Sequence, residues 1–159
     1  MRPGVGRRAP ESRQLYTWGP GVENPVGLAR AAVCAEFVRL EVPEDVAENA
    51  VLAVSELVAN AAEHACGPYA VCLRRTAREL LCEVHDGCCQ MPVVTPAIST
   101  VPFEPQEIDR GGGLDALCEA LSERGRGLGI VNYLSGGSWG VRRTSVGKCI
   151  WVDVSSCRS

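Results

Sequence analysis

An α+β two-layer sandwich, with helices packed on one face of a mixed, mostly antiparallel sheet, is the fold class this sequence predicts. Three observations predict it. Two stretches of helical periodicity come early, a pair of alternating apolar stretches joined by a tight connection follows, and a second such pair closes the chain. A chain of 159 residues can bury a sizeable core but has no room for two full domains, so a single domain over 15–157 is expected behind a disordered arm at 1–14.

Element by element, the arm is rich in Pro, Gly and Arg and offers nothing to bury. Leu15 to Trp18 reads as a short edge strand closed by Gly19-Pro20-Gly21. Asn24 followed by Pro25 is an N-cap with proline at the first helical position, opening a helix that carries Leu28, Ala31, Ala32, Ala35, Phe37, Val38 and Leu40. A second helix begins near Pro43 with Glu44 and Asp45 in its first turn, where the macrodipole favours acids, and runs to Ala65 before Gly67-Pro68 stops it. Tyr69 to Arg75 and Glu79 to His85 read as an antiparallel hairpin. From Gln90 to about Arg124, prolines and Gly111-Gly112-Gly113 interrupt every pattern except one short helix from Leu114 to Leu121. A segment of that length inside a compact domain is either a functional lid or disorder, and a lid at about 87–124 is the expectation. Gly125-Arg126-Gly127-Leu128-Gly129 then opens a helix through Ile130, Val131 and Leu134, and Ser138 to Arg143 with Gly147 to Val154 forms the closing hairpin.

Composition narrows the function classes. The chain is 46% hydrophobic and 22% charged, as ordinary globular domains are, and no apolar run is long enough for a membrane span. A net charge of −3 argues against a nucleic-acid surface spread over the molecule. The nine cysteines are odd in number, follow no disulfide framework and sit partly in apolar segments, which predicts buried free thiols in a reducing, cytoplasmic setting. His85 with Cys88 and Cys89 lacks the spacing of a zinc site. His64, four residues after Asn60, either faces the same site or complements the end of the second helix as an imidazolium, and the second role is the expectation. There is no nucleophile elbow, Walker lysine motif or zincin motif.

The chemistry-bearing pattern lies in three places. Ser55-Glu56-Leu57-Val58-Ala59-Asn60-Ala61 seats a carboxylate and a carboxamide four residues apart, on one face of an otherwise apolar helix. The Asn60 oxygen can ligate Mg²⁺, and Glu56 can orient or deprotonate a hydroxyl; the plain alternative is a hydrogen-bonded pair on a wetted helix face. Asp86-Gly87 ends a strand, where a rigidly held carboxylate can accept a hydrogen bond from the exocyclic amine of adenine. Gly125-x-Gly127-Leu128-Gly129 stands at a helix start, where backbone N–H groups can approach phosphate.

In this order the three resemble the N, G1 and G2 boxes of the Bergerat-fold ATPases, which include gyrase, the histidine kinases and the mismatch-repair ATPases. Within that superfamily the chain looks most similar to the small anti-sigma-factor serine/threonine kinases of bacterial partner-switching systems, over roughly residues 15 to 154. The resemblance implies ATP and Mg²⁺ as cofactors, with Asn60 ligating the metal and Glu56 acting as general base on a serine or threonine hydroxyl. It implies further that Asp86, beside Gly87, reads adenine and that Gly125, Arg126, Gly127, Leu128 and Gly129 form the phosphate loop. Arg30, on the first helix, corresponds to an arginine that reaches nucleotide or partner across a dimer. The implied partners are a sigma factor, a small antagonist protein and, as a homodimer, a second copy; neither nucleic acid nor membrane is among them.

The chain departs from the family pattern in three ways. Asp86-Gly87 runs into Cys88-Cys89-Gln90 rather than a second glycine, Cys149 stands where a threonine hydroxyl often supports the adenine site, and the stretch from Asp86 to Gly125 is long. Weakened nucleotide affinity is the expected consequence. A kinase that phosphorylates an antagonist and regulates a sigma factor is the leading reading, and a nucleotide-gated binding module with little or no kinase activity is the alternative. A sensor histidine kinase fragment is disfavoured, since no phosphoacceptor helix precedes the domain.

Overall fold

The computed structural model describes residues 10–92 and 127–158. The expected lid beyond Pro92, the expected helix from Leu114 to Leu121, and Gly125 and Arg126 lie outside those residues. Among the described residues the order is β1 (Glu11–Trp18), α1 (Pro25–Arg39), α2 (Glu44–His64), β2 (Tyr69–Arg75), β3 (Leu80–Asp86), α3 (Gly127–Leu134), β4 (Trp139–Arg143), β5 (Lys148–Asp153) and a 3₁₀ turn at Val154–Ser156. The five strands form one sheet in the order β1-β2-β3-β5-β4. Every neighbouring pair is antiparallel, so the sheet is wholly antiparallel where the sequence left room for a mixed one.

The helices begin where local chemistry starts them. Asn24 accepts the Gly27 N–H through its side chain at 3.0 Å, satisfying one of the four donors that a helix start leaves open, and Pro25 has no N–H to satisfy. No side chain caps α2, but Glu44 and Asp45 in its first turn face the positive end of its dipole. Against one face of the sheet, α1 buries Ala29, Val33 and Phe37, and α2 buries Ala50, Ala53, Val54, Leu57, Val58 and Ala61; there they meet Val71, Leu73, Cys82, Val84, Ile150 and Val152. Each fully buried Val, Leu or Phe contributes about 1.5–3 kcal/mol of transfer free energy, which makes this layer the main source of stability. No described helix is long and apolar enough to cross a membrane.

The N-terminal boundary differs from expectation. β1 starts at Glu11, not Leu15, so the expected arm cannot reach residue 14. Glu11, Ser12, Arg13 and Gln14 are exposed and carry no apolar signal; ladder pairing from Glu11↔Arg75 to Gln14↔Cys72 is what makes them strand. Past a register shift between Gln14 and Tyr16, Trp18 turns into the core and stacks on Tyr69 with ring centroids 5.0 Å apart. The thiols also sort differently from expectation: Cys82, Cys149 and Cys157 are buried, whereas Cys34, Cys66 and Cys89 are exposed, and every cysteine among the described residues is free.

Candidate functional site

Glu56 and Asn60 lie on the last half of α2. Ten positions of this helix are buried, so its inner stripe is broad enough to take in Glu56, which is 7% exposed. Asn60, one turn on, is half-buried. The start of α3 is laid directly across the pair. A Cβ on Gly127 would come 2.9 Å from Asn60 Nδ2, 3.2 Å from Asn60 Oδ1 and 3.3 Å from Glu56 Oε2. Any side chain at 127 would therefore fill the space these polar atoms face, which is a physical reason for glycine there. Leu128 packs against the core and anchors the helix start, while the Cβ position of Gly129 faces open space. The far end of α3 is fixed to β4 by Trp139, whose indole N–H donates to Asn132 Oδ1 at 2.9 Å.

Asp86 ends β3. Cys82 and Val84 face the helices from this strand, and by alternation so does Asp86, which is 4% exposed. Its Oδ1 accepts the Cys88 N–H at 2.8 Å and the Lys148 ammonium at 2.9 Å. Lys148 opens β5 directly opposite Asp86 in the ladder and is itself 7% exposed. Two glycines let the chain close over this pair. Gly87 donates its N–H to the Cys66 carbonyl at 2.7 Å, and a Cβ on Gly147 would run into the Asp86 carbonyl. The Gly87–Cys66 bond also ties the end of α2 to the end of β3. Asn60 lies one turn before the end of α2, about 6 Å along its axis at ~1.5 Å per residue. The structure thus brings Glu56, Asn60 and Gly127 to the end of the sheet that carries Asp86 and Gly87.

Cys149 does not support the Asp86 site, because alternation along β5 turns it to the opposite face of the sheet, paired with His85. The β5 side chain at Asp86 is Lys148. Sequence alone gives this residue no site role, although a single lysine opening the apolar run Cys149-Ile150-Trp151-Val152 is a visible signal. Arg30 is exposed on α1, and no described hydrogen bond or ion pair ties it to Glu56, Asn60 or Asp86. His64 ends α2 as expected and pairs with Glu63 at 3.4 Å.

The opposite face of the sheet holds a second polar cluster. Glu83, 2% exposed, receives Arg74 Nε at 2.8 Å, Arg142 on both oxygens at 3.0 Å and His85 Nε2 at 3.0 Å. Burial alone would raise the Glu83 pKa, but hydrogen bonds from His85 and Arg142 and the charges of Arg142 and Arg74 bring it down to about 2. The side chains of Cys149, Cys72 and Glu83 raise that of His85 to about 11 against the opposing effect of burial. Ligand atoms of Glu83, His85 and Cys149 lie within 4.8 Å of one another. With both Glu83 oxygens already bonded to cationic groups, two of them arginines that cannot lose their charge, the cluster is an ion-pair hub rather than a metal seat.

Hard oxygen donors in a recess that a Cβ would fill suit a cation that prefers oxygen ligands and shares them with phosphate, so the Asn60–Glu56 recess fits Mg²⁺. A comparison with curated proteins gave no match. A family comparison matches residues 23–153 to the histidine kinase-like ATPase domain, a span that includes α1, α2, β2, β3, α3, β4 and β5. This antiparallel α+β domain, with its polar recess at the end of β3, belongs to the histidine kinase-like ATPase family and is an ATP-binding domain.

Proposed function

We propose that the domain is an ATP- and Mg²⁺-dependent serine/threonine protein kinase of the anti-sigma-factor type, which phosphorylates a small antagonist protein and regulates a sigma factor by exchanging partners. The observation that carries the reading is the burial of Glu56 beside Asn60 under the start of α3. A domain that only gated a partner through nucleotide would have no use for a carboxylate in that recess.

In this reading Asp86 accepts the exocyclic amine of adenine, and the N–H groups at the start of α3, with the positive end of its dipole, face the phosphates. Asn60 would hold Mg²⁺, which when bound neutralises phosphate charge. Glu56 accepts the proton of the attacking hydroxyl as the new O–P bond forms, the bond between the γ-phosphorus and the bridging oxygen breaks, and ADP departs. The water-poor setting of Glu56 strengthens its hydrogen bond to the hydroxyl and holds it in one orientation.

The test is Glu56→Gln with labelled ATP and candidate antagonist proteins. Removing only the proton acceptor should leave ATP affinity within a few-fold of wild type and lower phosphotransfer by about 10²-fold or more. A wild-type protein that binds ATP and the antagonist but transfers no phosphate would overturn the kinase reading in favour of a nucleotide-gated binding module.

A further inference from the structure

The nucleobase end of the site is built from a charge pair, and that pair has a consequence for which base it accepts. Asp86 Oδ1 is occupied twice, by the Cys88 N–H at 2.8 Å and by Lys148 Nζ at 2.9 Å, while no described hydrogen bond reaches Oδ2. Lys148 Nζ lies 3.5 Å from the Cys88 carbonyl as well, so two of its three protons have partners among the described residues. Left over from the described hydrogen bonds are one carboxylate oxygen that can only accept and one ammonium N–H that can only donate, on two side chains in contact. The backbone holds both in place. Asp86 and Lys148 are opposite partners in the β3–β5 ladder, and Gly147 packs against the Asp86 carbonyl.

An acceptor beside a donor matches two purine edges. Adenine offers a 6-amino donor next to the N1 acceptor, so Oδ2 would take the amine and Lys148 would donate to N1. Guanine offers the O6 acceptor next to the N1–H donor, so Lys148 would donate to O6 and Oδ2 would take N1–H. A site that read the base with a carboxylate alone would leave guanine O6 against negative charge, and it is this repulsion that rejects guanine. Lys148 removes the repulsion and supplies a charge-assisted bond in its place.

Resting on the assignment of Asp86 to the base, we infer that Lys148 is a base-reading residue and that the site accepts guanine nucleotides about as well as adenine nucleotides. Arg143 lies opposite Lys148 on β4 and spends a guanidinium N–H on the Cys89 carbonyl at 3.2 Å, so among the described residues Lys148 is the cation in contact with Asp86.

Lys148 is the sole lysine of the chain, which gives the test a clean probe. Calorimetry with ADP, GDP and IDP should return dissociation constants for GDP and IDP within about tenfold of that for ADP. In protein labelled at lysine, all three should displace the Lys148 side-chain resonance. Lys148→Met should then weaken GDP at least about tenfold more than ADP. Should that variant fail to fold, the wild-type series with the lysine resonance decides by itself. GDP and IDP binding more than about tenfold weaker than ADP, or binding of any of them with no movement of the lysine signal, would overturn the inference and leave adenine reading by Asp86 standing. Binding of neither ADP nor GDP would overturn both.

Discussion

Replacing Gly127 with alanine separates the demands of the fold from those of the site. Within a helix, alanine is favoured over glycine by up to about 1 kcal/mol. Against that, the new Cβ would stand 2.9 Å from Asn60 Nδ2, closer than real Cβ contacts come, and 3.3 Å from Glu56 Oε2. The Asn60 amide is the free end of a side chain on a half-buried position, so it would yield by about 0.5 Å, at an overpacking cost of about 1–2 kcal/mol. The two effects nearly cancel in stability, and Gly127→Ala should unfold within about 1 kcal/mol of wild type. They do not cancel in the site. Mg²⁺ demands near-ideal geometry at about 2.0–2.1 Å, so a displaced Asn60 oxygen should weaken Mg-ATP binding tenfold or more, about 1.4 kcal/mol. Urea unfolding and calorimetry on the same preparation give the two numbers. Unchanged Mg-ATP affinity with wild-type stability would refute the argument that the start of α3 is held against Asn60 and Glu56 for the sake of the ligand.

Two further outcomes follow from the same geometry. Glu83→Gln should cost about 3 kcal/mol by leaving Arg74, Arg142 and His85 crowded around a neutral group. The pKa of Glu83 is lowered in the fold from 4.5 to about 2, so its contribution is present above pH 4.5 and lost as pH falls toward 2; that of His85 is raised from 6.5 to about 11, so its contribution is present below 6.5 and lost as pH rises toward 11. Urea unfolding from pH 2 to 10 should show both limbs in wild type, with the acid limb flattened in Glu83→Gln; superimposable profiles would count against the hub. Gly147→Ala should cost at least about 2 kcal/mol, because its Cβ meets backbone of Asp86 and Gly87 rather than a movable side chain, and a variant as stable as wild type would contradict that packing.

The helices were legible because their signals are local. Asn24-Pro25 starts α1 through a cap and a missing donor, and the apolar period of α2 by itself places Glu56 and Asn60 on one face. What escaped the sequence depends on strand pairing. The polar residues Glu11 to Gln14 are strand only because β2 lies beside them. The period of two along β5 separates Lys148 from Cys149 but does not say which faces the helices; the register against β3 decides, and a shift of one residue would exchange them. The Glu83 hub likewise gathers β2, β3 and β4, with Arg142 arriving from 59 residues away, a distance at which no local pattern speaks.

The most direct test of the account is a calorimetric titration of ATP into wild type, Asp86→Asn and Asn60→Ala, each with Mg²⁺ and with the metal chelated. Asp86 as the base acceptor and Asn60 as the metal ligand predict different losses. Asp86→Asn should weaken binding by about tenfold or more in both conditions, since it removes the charge that accepts the base and pairs with Lys148. Asn60→Ala should abolish the gain from Mg²⁺ and leave metal-free binding near wild type. ATP affinity indifferent to both substitutions, or the same loss in both variants whether or not Mg²⁺ is present, would contradict the assignment of base and metal to these two residues.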